Sequence, residues 1–131
     1  MKKESKAFGF SLAEVLIVVA IISLLALMAI PNLLRARVDS NQTFAQTTLK
    51  AIANALENYV SINSAYPTDV DELIGVSPPY LNKNYFVGAY NGYTFDAELD
   101  SYSYTITAIP VNPSSGTTSY TITTGAVLTV N

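Results

Sequence analysis

An apolar segment near the N-terminus is the feature that most restricts what this chain can fold into. Residues Phe10 to Ile30 contain one charged side chain, Glu14, in twenty-one positions. As an α-helix this segment is roughly 31 Å long, which matches a bilayer hydrocarbon core about 30 Å thick. A segment of this kind must be covered by lipid or by other protein. We therefore expect a single membrane-spanning helix.

The residues on either side of the apolar segment indicate its orientation. Lys2, Lys3 and Lys6 precede it, whereas Arg35 and Arg37 follow it. The positive-inside rule therefore favours a cytoplasmic N-terminus. A secretory signal peptide would end in a small-residue cleavage site, and no such site closes the segment. We expect the rest of the chain to lie outside the cytoplasm.

The composition argues against enzymatic activity and against nucleic-acid binding. The sequence contains no Cys and no His, so it lacks thiolate chemistry and the usual general base. Neither Lys50 nor Lys83 lies in a motif that would activate a serine or threonine nucleophile. Beyond residues 1–9, four cations and nine carboxylates give a net charge of −5. A nucleic-acid surface needs clustered basic side chains, so we predict no enzyme, no cofactor and no nucleic-acid partner.

Two residues are unusual for a plain membrane anchor. Glu14 lies four residues inside the apolar segment, where a carboxylate is costly to bury. It either reaches the membrane interface or awaits a cationic partner in an assembly. Pro31 removes the backbone hydrogen bond to the Leu27 carbonyl, so it either ends the membrane helix or kinks it. Helical periodicity resumes after Pro31, which favours a kink.

The start of the apolar segment forms a motif that consists of Gly9-Phe10-Ser11-Leu12-Ala13-Glu14, the apolar residues 15–22, and Ala29-Ile30-Pro31. This motif resembles the N-terminus of type IV pilins and type II secretion pseudopilins. In that family a membrane-bound aspartic prepeptidase cuts after the glycine and N-methylates the new terminus. The resemblance therefore implies cleavage between Gly9 and Phe10, with N-methylation of Phe10. It also implies that Glu14 pairs with the amino terminus of a neighbouring subunit, and that Glu14 and Pro31 serve assembly.

After Pro31 the sequence predicts an amphipathic helix that continues to about residue 62. The apolar face is formed by residues spaced four and three apart, namely Ala45, Leu49, Ile52, Leu56 and Tyr59. The opposite, solvent-facing side is predicted to hold Asn41, Thr47, Lys50, Asn54 and Glu57. This half of the helix needs a second layer to cover its apolar face.

The last half of the chain predicts that second layer. A short helix is expected at 69–74, with Thr68 and Asp71 as an approximate capping box and Gly75 as its stop. Asn91-Gly92 is a strong turn signal. Period-two patterns over 93–100, 102–108 and 120–123 predict strands, and residues 126–130 predict a strand pairing back on 119–124.

These elements predict an α+β fold, with a long N-terminal helix packed on a small antiparallel sheet. The second half also resembles the cysteine-free, pseudopilin-like C-terminal domains of the same superfamily. The expected organisation is a cleaved leader over 1–9, a membrane and filament-core helix over 10–31, and an exterior domain over 32–131.

One group of carboxylates is a candidate for a cation-binding site. Several secretion pseudopilins carry calcium near the C-terminus, but residues 101–131 contain no carboxylate side chain here. The remaining candidates are Asp96, Glu98 and Asp100, since calcium prefers oxygen ligands. Strand alternation places them about 6.8 Å apart in succession, too far for one ion unless the strand bends. The favoured interpretation is a solvated charged face and no bound metal.

Together these features predict a structural subunit of a type IV pilus, a homo-oligomeric helical filament. The chain would be held in inner-membrane lipid, processed by the prepilin peptidase and polymerised by inner-membrane assembly machinery into an extracellular pilus. One alternative is a major-type pseudopilin of a type II secretion system, assembled into a periplasmic pseudopilus. Another is a monomeric, membrane-tethered binding module.

Overall fold

The computed structural model describes residue 1 and residues 8–131. Most of the predicted leader lies outside the described residues, as do Lys2, Lys3 and Lys6, on which the predicted orientation depends. The chain divides into two compact units, Met1–Arg35 and Ala36–Asn131. One helix, α1 (Leu12–Asn63), contributes to both and includes Pro31. The helix therefore does not end at Pro31, and a kink there stays a prediction.

The second unit contains a five-stranded antiparallel sheet in which each strand pairs with the next along the chain. The strands are β1 (Ala89–Tyr90), β2 (Tyr93–Asp100), β3 (Ser103–Pro110), β4 (Tyr120–Thr123) and β5 (Val127–Val130). The predicted return strand is confirmed, because Ile122 of β4 lies opposite Leu128 of β5. The strand β1 was not predicted, since it has only two residues and no alternation of its own.

The core of the second unit lies between α1 and the sheet. The helix supplies Ala45, Leu49, Ile52 and Leu56, all fully buried, with Tyr59 packed at the margin. The sheet supplies its alternate residues, namely Tyr93, Phe95, Tyr104, Ile106, Ala108, Tyr120 and Ile122. A helical stripe with a period near 3.6 and strand faces with a period of two thus bury one another. The predicted α+β fold is confirmed.

Tyr102 corrects the predicted start of the second long strand. It was expected to share a face with Tyr104, yet it lies in a two-residue turn and is 88% exposed. Asp100 pairs with Ser103 across this turn, and its carboxylate accepts a hydrogen bond from the Tyr102 amide at 3.1 Å. A hairpin this tight leaves no room for Tyr102 in the strand ladder.

The start of the short helix α2 (Asp71–Ile74) differs from the predicted capping box. Thr68 and Asp71 do not cap each other. Instead the Glu72 carboxylate accepts hydrogen bonds from the Thr68 amide at 3.0 Å and the Asp69 amide at 3.3 Å. The helix begins two residues later than predicted, which places Thr68 outside it and lets the longer Glu72 side chain reach back.

Glu57 also departs from its prediction. Its position on α1 suggested a solvent-facing side chain, but it is half-buried and binds three separate parts of the domain. It accepts hydrogen bonds from the hydroxyl of Tyr104 at 2.9 Å, the hydroxyl of Tyr66 at 3.2 Å and the amide of Gly125 at 3.0 Å. The Tyr104 hydroxyl in turn accepts one from the Ala126 amide at 3.0 Å.

Asn41 is the other exception on the predicted solvent face of α1. It is half-buried, and its side-chain amide donates a hydrogen bond to the Ser115 carbonyl at 2.9 Å. Thr47, Lys50 and Asn54 are exposed, as predicted.

Candidate assembly site

The first turn of α1 holds Glu14 in a capping box with Ser11. The Ser11 amide donates to the Glu14 carboxylate at 3.0 Å, and the Glu14 amide donates to the Ser11 hydroxyl at 3.2 Å. This reciprocal pair satisfies two amides that a helix start would leave unbonded. A carboxylate is also favoured at the positive end of the helix dipole. The spacing of three residues between Ser11 and Glu14 is typical of a capping box, although no role was predicted for Ser11 from the sequence.

The predicted cleavage point lies just before this capping box. Residues 8–11 are not helical, Phe10 is 89% exposed, and among the described residues nothing beyond the chain neighbours of Gly9 comes within 4 Å of the position a Gly9 Cβ would occupy. A peptide bond that is accessible and free of helical hydrogen bonds is one that a protease can bind in extended form. Cleavage there would leave the new amino group on the residue adjoining Ser11.

A shallow cavity of about 350 Å³ adjoins Glu14. Its walls are formed by Phe10, Val15, Val18 and Val19, so the Glu14 carboxylate is its one charged group. A single anion against apolar walls is well suited to a compact cation with an apolar neighbour, since low polarity strengthens the attraction between unlike charges. An N-terminal amine attached to a phenylalanine has this chemistry.

The large apolar side chains of residues 12–34 are exposed. The large apolar residues from Leu12 to Leu34 are each between 49% and 78% exposed. Within the described residues, α1 is the one helix long and apolar enough to cross a membrane, with a mean hydropathy of 2.8 over its most apolar stretch. A surface of this size and polarity must meet lipid or other apolar helices.

The structure does not gather the three candidate cation ligands. Asp96, Glu98 and Asp100 are all exposed along β2, and the Asp96 carboxylate accepts a hydrogen bond from the Ala97 amide at 3.0 Å. Within residues 8–131 no three carboxylates come together in a way that could hold a metal ion. Their alternation with buried neighbours agrees with a solvated charged face.

Comparison with known proteins agrees with the geometry of the first turn. Residues 5–30 match the prokaryotic N-terminal methylation motif. The chain belongs to the superfamily of type IV pilins and type II secretion pseudopilins. Both classes of this superfamily are represented among its relatives.

Three relatives illustrate the similarity of this pilin-superfamily chain. It is 40% identical over 93 residues to the type II secretion system core protein G of Vibrio cholerae, covering 69% of this chain and 64% of that protein. It is 41% identical over 75 residues to the type IV major pilin PilA of Myxococcus xanthus, covering 57% and 34%. It is 41% identical over 70 residues to the type IV wide pilus major component PilA4 of Thermus thermophilus, covering 53% of each. The alignments span less than two thirds of each relative.

Proposed function

We propose that this chain is a structural, non-enzymatic subunit of a helical filament, stored in the inner membrane and polymerised through the first part of α1. The supporting observation is the apolar surface of residues 12–34, which is exposed along its length and carries one charged group, Glu14. Lipid covers this surface before assembly, and the same segments of neighbouring copies cover it afterwards.

Glu14 gives this exchange its specificity. Apolar side chains gain little by leaving lipid for other apolar helices, so packing and polar contacts must favour the assembled state. A Glu14 carboxylate that meets the amine of a neighbouring copy satisfies a charge that lipid cannot satisfy. The cavity beside Glu14 provides room for the terminal phenylalanine that carries the amine.

The motif match over residues 5–30 and the exposed residue Phe10 support the proposed processing. The prepilin peptidase cuts between Gly9 and Phe10 and methylates the Phe10 amine, after which inner-membrane assembly machinery adds the subunit to the filament. We place the chain in a type IV pilus on the cell surface. Residues 101–131 carry no carboxylate for the calcium site of several secretion pseudopilins, which favours this placement.

A type II secretion pseudopilin is the second candidate. The alignment with the Vibrio cholerae secretion protein covers 69% of this chain, a larger share than either pilin alignment covers. In that role the filament would stay in the periplasm. A monomeric, membrane-tethered binding module would leave Glu14 without a partner, so it is the least supported reading.

The processing step is tested by the intact mass of the chain extracted from membranes. We expect a chain that begins at Phe10 and carries one added methyl group. Retention of residues 1–9 in cells with active prepilin peptidase would overturn the proposal.

Electron microscopy of sheared surface material separates the two candidates, because long fibres containing this chain indicate a pilus. Confinement to the periplasm, with loss of protein export on deletion, indicates a pseudopilin.

The assembly step is tested by Glu14→Ala, which removes the proposed partner of the neighbouring amine. We expect loss of fibres while the membrane-bound chain stays at its normal level. The matched control is Asp39→Ala, which removes an exposed carboxylate from the same helix and should leave fibres intact. Normal fibres from cells that carry only Glu14→Ala would show that the pairing argument is wrong.

A further inference from the structure

The second unit contains a cavity of about 450 Å³ where α1 ends. We call it the Tyr59–Tyr80 cavity. Its walls include Tyr59, Ile62, Glu72, Pro78, Pro79 and Tyr80. The two tyrosine rings meet edge to face, with their centroids 5.2 Å apart. The cavity thus combines aromatic and proline surfaces with one carboxylate.

The Glu72 carboxylate is held in place as an anion. It accepts hydrogen bonds from the Tyr59 hydroxyl and from the amide and hydroxyl of Thr68, the last two at 3.0 and 3.2 Å. The hydrogen bond from Tyr59, followed by that from the Thr68 amide, lowers the pKa of Glu72 below its ordinary value. A fixed carboxylate beside tyrosine rings favours a planar cation, because such a cation is attracted both by the carboxylate and by the faces of the rings.

The nearest cation in sequence, Lys83, lies three residues after Tyr80, and its ammonium lies over the Tyr90 ring, 4.1 Å from the ring centroid. No Lys or Arg occurs between Lys50 and Lys83, whereas the same interval contains Glu57, Asp69, Asp71 and Glu72. The cations of α1 are Arg35, Arg37 and Lys50, all exposed, with the carboxylate of Asp39 between the last two. Residues 36–50 thus carry two cations against one carboxylate, whereas the walls of the cavity carry the Glu72 carboxylate.

We propose that the Tyr59–Tyr80 cavity receives the Arg37 guanidinium of a second copy of this chain, a contact that rests on the filament function proposed above. Arg37 lies one helical turn before Asn41 and therefore on the same face, which contacts the loop at Ser115. Arg35 is rotated by about 200° from Arg37 around the helix, away from that face. Arginine also stacks on aromatic rings better than lysine, which favours Arg37 over Lys50.

The spacing of the two partners suits a repeating assembly. Arg37 and Ile62 are 25 residues apart on α1, about 38 Å at the standard helical rise. Two copies displaced by that distance along the helix axis bring Arg37 of one level with the cavity of the other. The contact joins different surfaces of the two copies, so it does not close on itself and extends into a filament.

The experiment exploits the absence of cysteine from this chain. Arg37→Cys and Val76→Cys are introduced together in the full-length chain, because Val76 lines the cavity and is 42% exposed. Intact fibres are treated with a short bismaleimide cross-linker and separated on a denaturing gel. We expect a ladder of covalent multimers from the double variant and none from either single variant. The control pair, Lys50→Cys with Val76→Cys, should give no ladder, since Lys50 lies about 20 Å further along α1.

Charge reversal gives a second measurement. Arg37→Glu should abolish most fibres, and Lys50→Glu, which makes the same charge change on the same helix, should retain them. Normal fibres from the Arg37→Glu variant would overturn this contact. Fibres of the double cysteine variant that give no ladder, or a ladder equal to that of the control pair, would overturn it too. So would a cross-link to a different protein in place of multimers. An unmodified chain that forms no fibres would instead overturn the filament function.

Discussion

Glu57 is a single residue that contacts three separate segments of the second unit. Its carboxylate joins α1 to the segment after the helix through Tyr66, to β3 through Tyr104, and to the turn between β4 and β5 through Gly125. Hydrogen bonds to charged groups are among the stronger ones in proteins. One side chain on the helix therefore holds three separate parts of the domain against it.

Replacing Glu57 should destabilise the exterior domain. Glu57→Ala removes the acceptor for two phenol hydroxyls and one amide, so we expect a loss of about 2–3 kcal/mol in the free energy of unfolding. Urea unfolding of residues 36–131 followed by circular dichroism measures it. The control is Asn54→Ala, an exposed position almost one turn earlier, which should change stability by less than about 0.5 kcal/mol. Equal effects from the two variants would contradict the role given to Glu57.

Ionisation of Tyr104 should make the domain less stable at alkaline pH. Burial, with a further contribution from its hydrogen bond to Glu57, raises the pKa of the Tyr104 hydroxyl well above its ordinary value. The raised pKa means that stability is fully present below the ordinary tyrosine pKa, about 10, and is lost as pH rises above it. We expect the urea midpoint to fall above that pH. Tyr104→Phe should flatten the fall, and an unchanged slope would contradict this assignment.

Among the elements, the turn between β1 and β2 shows how a local signal is reinforced by tertiary packing. Asn91 and Gly92 have φ angles of 47° and 74°, as expected for the tight hairpin turn that an Asn-Gly pair favours. The space around Gly92 is also occupied, because a Cβ there would lie 2.4 Å from the Ser115 Cβ. Glycine is thus required both by the backbone angle and by the approach of the loop.

Gly92→Ala separates these two requirements when it is compared with Gly88→Ala. Gly88 also has a positive φ, at 82°, but its added Cβ would meet nothing within 4 Å. Both variants should lose about 1–2 kcal/mol from the left-handed backbone. Gly92→Ala should lose about 1–3 kcal/mol more, because the Ser115 loop must move. Thermal unfolding of both variants measures the difference, and equal losses would show that the loop yields freely.

At the scale of the whole molecule, the two units differ in what stabilises them. Among residue 1 and residues 8–131, the buried core belongs entirely to the second unit, from Ala45 to Ile122. The first unit exposes its large apolar side chains, which lipid or other apolar helices would have to cover. We therefore expect folding to depend on the second unit, whereas the proposed filament also needs the apolar surface of the first unit.

This division predicts that residues 36–131 fold alone. We expect a monomeric, water-soluble fragment that unfolds cooperatively, since its core is complete without the first unit. Sedimentation and calorimetry measure the two properties. The full-length chain should need detergent to stay dispersed under the same conditions. A fragment that unfolds gradually, or that forms fibres without residues 12–34, would contradict the division.

The sequence alone determined the features that depend on local pattern. The apolar segment with Glu14, the change from helical to strand periodicity, and the Asn91-Gly92 turn each lie within a short window, and together they led to the α+β fold. Most of the helix residues predicted to be buried are buried for the same reason, since a period of 3.6 reports which residues share a face.

Only the tertiary structure decided how the polar residues pair. Glu57 occupies a position that the periodicity of α1 assigns to solvent, yet its partners Tyr104 and Gly125 are 47 and 68 residues away. The same is true of Asn41 and Ser115, which are 74 residues apart. Periodicity reports which face of an element is apolar. A hydrogen bond depends on which distant loop folds over the polar face, and no local pattern contains that information.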